Sequence, residues 1–166
     1  MKPLKLLMYC FAALILTRSC KKEKKEVLPE PQSSQSFTYH FQGQPEENKI
    51  TNVKYYRDNG DNRTLILAFQ TRETDPSVHI KLSSFTPIET IPQGTFTQMA
   101  EKIVFTTGNM RGGIGQLFEM SENAERKLSI QKIGEKYSIN FGFTLKENGG
   151  VGGLITGSFY GPVAGP

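Results

Sequence analysis

Tryptophan is absent from the 166 residues, and cysteine and histidine occur only twice each. Those counts exclude a multi-cysteine zinc site, a disulfide framework and a haem c motif. Both thiols, Cys10 and Cys20, fall within the first 20 residues, so residues 21–166 carry none for nucleophilic chemistry. No G-x-S-x-G elbow is present, and no glycine loop ends in Gly-Lys-Ser/Thr. The acidic cluster 58–62, Asp-Asn-Gly-Asp-Asn, lacks the bidentate Glu that closes an EF-hand. Net charge is +4, but Lys2, Lys5, Arg18, Lys21, Lys22, Lys24 and Lys25 all precede Ser36, against Glu23, Glu26 and Glu30. From Ser36 onward the charges balance. The dense cationic face that nucleic acid demands is therefore missing, and no nucleic-acid partner is expected.

The N-terminus is the most explicit part of the chain. Residues 1–5 are a short cationic segment and residues 6–16 an unbroken apolar run of 11 residues. A membrane-spanning helix needs about 20 such residues, whereas a signal-peptide core needs about 7–15. Leu16-Thr17-Arg18-Ser19-Cys20 follows and resembles a bacterial lipobox. The small Ser19 fits that pattern, and Thr17 and Arg18 depart from its aliphatic-small positions. The resemblance implies a lipoprotein signal peptide over 1–19 and fatty acylation, palmitate included, of the Cys20 thiol. Cys10, inside the apolar run after Tyr9, is the weaker candidate. One acyl chain binds a membrane only marginally, but the two or three of a lipoprotein hold it stably. The expected location is the outer membrane, lipid-anchored, on its periplasmic side or at the cell surface. Residues 20–35, Lys-Lys-Glu-Lys-Lys-Glu followed by a Pro-, Ser- and Gln-containing stretch, have no apolar period and read as a disordered tether. Lys22-Glu23 and Lys25-Glu26 loosely resemble the surface-export signal of Bacteroidota lipoproteins.

From 36 to 166 the dominant signal is alternation at period two. Phe37, Tyr39 and Phe41 share one face; Val53 and Tyr55 flank Lys54; Leu65, Leu67 and Phe69 lie on one side. Val78, Ile80 and Leu82 alternate with His79 and Lys81, and Tyr137 through Leu145 alternate over nine residues. Shorter runs occupy 102–106, 115–120, 127–133 and 154–160. Asn59-Gly60, Gly134-Glu135 and Asn148-Gly149-Gly150 supply the hairpin turns. The helix-like stretch 121–127 is too short to stand alone and reads as a loop or single turn. About nine strands, each with one apolar face, predict an all-β domain: an antiparallel β-sandwich or a short closed barrel. Fifteen aromatics in this segment furnish the core. Gly157 and Gly161, flanking Phe159, mark a bulge, a barrel corner or a close backbone approach.

Leu128–Gly134, then Tyr137-Ser-Ile-Asn-Phe141, then Ile155-Thr-Gly-Ser-Phe-Tyr-Gly-Pro-Val163 resemble the closing strands of small Bacteroidota lipoproteins. Pro92-Gln-Gly-Thr-Phe96 is similar to their central Gly-Thr-Tyr/Phe element. The resemblance spans about residues 36–166 and implies an all-β domain with no assigned activity.

Catalytic signals are sparse. His40 and His79 have no His or Cys partner at ligand spacing, and Glu73 and Asp75 near His79 read as solvated loop charges. Glu46-Glu47 falls in a polar, Pro-containing stretch that reads as a loop. The glycine-rich stretches 111–115 and 149–153 read as mobile loops. No catalytic residue, metal site or cofactor is expected, and the chain does not read as an enzyme. The best binding hint is the pairs Tyr55-Tyr56 and Phe159-Tyr160, since alternation turns one member of each outward. Tyr56 and Tyr160 are therefore the candidate ligand contacts, suited to a glycan or an envelope protein. The sequence thus predicts a lipid-anchored, non-enzymatic binding or structural module. An accessory subunit of a surface assembly is the alternative, and a cryptic hydrolase ranks behind it.

Overall fold

The computed structural model describes residues 33–72, 76–97, 103–112, 116–121 and 125–165. The signal peptide, Cys20 and the tether up to residue 32 lie outside the described residues, as do Glu73 and Asp75. Eleven strands follow one another: β1 (Ser36–Phe41), β2 (Gln44–Lys49), β3 (Asn52–Asp58), β4 (Asp61–Gln70), β5 (Ser77–Ser84), β6 (Gly94–Phe96), β7 (Ile103–Arg111), β8 (Leu117–Glu119), β9 (Arg126–Ile133), β10 (Lys136–Asn148) and β11 (Val151–Gly161). They form a six-stranded sheet, ordered β2-β1-β11-β10-β9-β6, and a five-stranded sheet, ordered β3-β4-β5-β7-β8. Every strand pair is antiparallel. The two sheets pack face to face as a β-sandwich. Each ends in two edge strands, so the chain does not close into a barrel.

Alternation decides which side chains meet between the sheets. Phe37, Leu128, Ile130, Ile139, Phe141, Phe143, Ile155 and Phe159 point inward from the larger sheet. Val53, Leu65, Leu67, Phe69, Val78, Ile80, Leu82 and Phe105 meet them from the smaller one. Ring pairs tie the layers together: Phe69 lies 4.7 Å from Phe141, and Phe105 meets Phe143 edge-on at 5.7 Å. Gly157 is a close approach, not a corner, because a Cβ there would collide with the Phe141 ring. The Asn59-Gly60 hairpin takes φ values of 48° and 77°, as a primed turn requires. Gln42-Gly43 repeats this geometry between β1 and β2.

That second hairpin corrects the loop reading of Glu46 and Glu47. Both lie on β2, which pairs with β1 along its whole length, from Ser36↔Lys49 to Phe41↔Gln44. As an edge strand, β2 exposes both faces, so its sequence needs no apolar alternation, and Pro45 is tolerated there. The stretch 121–127 is also partly strand, since β9 begins at Arg126. After β11 the chain crosses to the other layer. The Ala164 amide donates to the Val53 carbonyl at 2.9 Å and the Tyr55 amide to the Ala164 carbonyl at 3.0 Å, covering the β3 edge.

Candidate functional site on the six-stranded sheet

The two outward faces of the sandwich differ in chemistry. On the five-stranded sheet, Tyr56 turns outward while Tyr55 packs against the core. The Tyr56 hydroxyl shares a 3.2 Å hydrogen bond with Nδ1 of His79, and Ser77 Oγ lies 3.3 Å from Nε2. Burial, aided by the Arg111 charge, pushes the His79 pKa down to about 4, so the ring is neutral at pH 7 and one nitrogen donates while the other accepts. Burial also raises the Tyr56 pKa. Beside them, Lys81 Nζ bonds Asp58 Oδ2 at 2.6 Å. These side chains satisfy one another and leave little for a ligand.

The outward face of the six-stranded sheet is lined by small polar side chains in register. One row crosses five strands as Ser36, Ser158, Asn140, Ser129 and Thr95. The next runs Glu47, Thr38, Thr156, Gly142 and Lys127. At about 4.8 Å per strand, the first row extends about 19 Å. Two hollows of about 380 and 280 Å³ lie along these rows, and they adjoin where β10 pairs with β11. Gly142 sits at that junction, and the missing side chain there leaves the floor low. A Cβ at Gly142 would touch Thr156 at an ordinary 3.7 Å, so the hollow is open without being required by packing.

At the β2 side the face is partly self-satisfied. Ser36 Oγ donates to Glu47 Oε1 at 2.5 Å, and the hydroxyls of Ser34 and Ser158 lie 2.7 Å apart. On the inward side of the same strand pair, Tyr39 donates to Glu46 Oε2 at 2.7 Å; burial, then this bond and the carboxylate charge, push its pKa up to about 12. Toward β6 the pattern changes. Among the described residues, the side chains of Thr38, Thr156, Asn140, Ser129 and Thr95 make no hydrogen bond within the protein. The two rows thus offer hydroxyls, an amide, the ammonium groups of Lys49 and Lys127 and the Glu47 carboxylate on a shallow floor.

Tyr160, the second tyrosine singled out by the sequence, lies on this same side of the sandwich, one row beyond Asn140, opposite Ser138. Tyr56 lies on the other side, so the two candidates do not form one site. Among the described residues, no three His, Cys, Asp or Glu side chains converge to hold a metal ion, and no helix is long and apolar enough to cross a membrane. The trough residues escaped the sequence reading because each is merely the polar alternate of a strand. The β9–β10 and β10–β11 hairpins set Ser129, Asn140 and Ser158 side by side, and pairings across 34 and 122 residues add Thr95 and Ser36. Compared with family models, curated proteins and solved structures, the chain matches none.

Proposed function

We propose that this chain is a lipid-anchored envelope lipoprotein whose sandwich is a non-enzymatic binding module for an extended, polyhydroxylated ligand such as a glycan strand. The observation that carries the reading is the pair of in-register polar rows beside the low floor at Gly142. An open trough suits a linear chain better than a small enclosed molecule, which needs a cavity that buries most of its surface. Hydroxyl and amide groups spaced by the sheet repeat match a ligand that presents donors and acceptors along its length. Acylation of Cys20 would keep the module at the outer membrane, where such polymers are found.

Titration of the full chain in detergent with linear neutral oligosaccharides of gluco, xylo, manno and galacto configuration tests this. One class should bind, and Gly142→Gln, which raises the floor without strain, should weaken binding by about tenfold, or about 1.4 kcal/mol. Binding by none of them, or equal binding by the variant, overturns the reading.

A second reading, an accessory subunit of a surface assembly, is favoured by one feature. Phe85, after β5, is 87% exposed beside a hollow of about 250 Å³ lined by Pro87, Ile88, Pro92 and Ile103. Phe85→Ser would release a protein partner and leave oligosaccharide affinity unchanged.

A further inference from the structure

We propose that the β9–β10 hairpin is a docking tip for an anionic lipid surface, so that the anchored sandwich stands on this end. The inference rests on the lipid-anchor reading for its tether and on independent geometry for its surface. Together with the end of β11, which pairs to Tyr137↔Gly161, the hairpin extends past β1. β1 begins at Ser36, level with Ser158 and Asn140, whereas β10 begins four residues earlier at Lys136. At about 3.4 Å per residue, the tip reaches about 14 Å past the start of β1.

The tip carries a lysine laid over a tyrosine on each of its two faces. Lys132 Nζ lies 5.8 Å from the ring centre of Tyr137, its direct cross-strand partner. Lys136 Nζ lies 5.0 Å from the ring centre of Tyr160 on the opposite face. Tyr137 and Ile139 share the inward side, whereas Tyr160 alternates with the buried Phe159. Both lysines are exposed. Lys49, at the start of the β1–β2 register, adds a third cation at this end, against Glu135 in the turn. Lysine with tyrosine is the chemistry of a membrane interface: the ammonium meets lipid phosphate and the ring sits at headgroup depth.

The chain enters the sandwich at this same end. The Ser34 amide donates to Ser158 Oγ at 3.1 Å, and Gln35 Nε2 donates to the Tyr160 carbonyl at 3.3 Å. Cys20 and Ser36 are only 16 residues apart in the sequence. Two or three lysines near an anionic surface are too few to hold a free protein. A short tether supplies a millimolar effective concentration, at which so weak a contact is populated.

The test uses the full acylated chain in vesicles of phosphatidylcholine alone and in vesicles containing phosphatidylglycerol, with amide hydrogen exchange as readout. On anionic vesicles, exchange over residues 131–137 should slow about fivefold, while the Asn59-Gly60 turn at the far end stays unchanged. High salt, or the double substitution K132E/K136E, should abolish the slowing. Equal exchange on both vesicle types by a retained chain overturns the docking. A chain that floats free of both vesicles, with Cys20 unmodified by mass spectrometry, overturns the anchor reading instead.

Discussion

The two outward faces of the sandwich share a backbone geometry and part in how they use polar groups. On the five-stranded sheet, Tyr56, His79, Ser77, Lys81 and Asp58 bond to one another. On the six-stranded sheet, Asn140, Ser129, Thr156 and Thr38 are held in register but are not bonded to each other. A face that spends its hydrogen bonds internally contributes to stability. One that leaves them unpaired within the protein presents donors and acceptors to solvent. The difference predicts that substitutions on the first face alter folding and those on the second alter binding.

The largest effect should come from beneath the trough, where the two roles meet. Gly157→Val drives a side chain into the Phe141 ring and should cost about 3 kcal/mol or more in urea unfolding. Gly142→Gln, one row away, should shift unfolding by less than about 0.5 kcal/mol. Equal costs at the two glycines would erase the distinction between floor and core.

Next in size is the acid response of the satisfied face. His79 accepts its proton near pH 4 when folded and near 6.5 when unfolded. Between those values the unfolded chain binds the extra proton, so stability falls as pH drops from about 6.5 to 4 and is flat, for this group, above 6.5. The loss should be on the order of 2 kcal/mol, allowing for partial exposure. His79→Gln, which keeps hydrogen-bonding capacity, should remove that part of the pH dependence in parallel urea titrations.

Smaller still is the Lys81–Asp58 pair, whose two side chains are each 35% exposed. Lys81→Met should cost at most about 1 kcal/mol, and less at high salt. Asn140→Ala should leave the melting midpoint within error and weaken oligosaccharide binding; a stability loss above about 1 kcal/mol would show that the row is structural.

Much of the sandwich was readable in the sequence because burial imposes period two on strands with one face in the core. β4, β5 and β10 carry that pattern plainly, and Asn59-Gly60 announces its hairpin. β2 was not readable, because an edge strand with two solvated faces leaves no apolar trace. β6, three residues long, gave only its Gly-Thr-Phe. The outward turn of Tyr56 and Tyr160 followed from alternation, but their separation onto opposite faces did not, since nothing local in a strand says which sheet it joins. The trough was hidden in part for the same reason: Ser129, Asn140 and Ser158 meet through two consecutive hairpins, but Ser36 joins them only across 122 residues.

Arg126 links the two layers. From β9 its guanidinium donates to the Thr106 carbonyl of β7 at 3.2 Å. Its buried Nε has no partner among the described residues.

β11 lies between β1 and β10, so the larger sheet joins the first strand of the sandwich to the last. A ribosome must reach β11, more than 110 residues after β1, before β1 acquires this neighbour. Such long-range closure makes folding slow relative to local hairpins. The topology itself postpones closure of the larger sheet until β11 has been made.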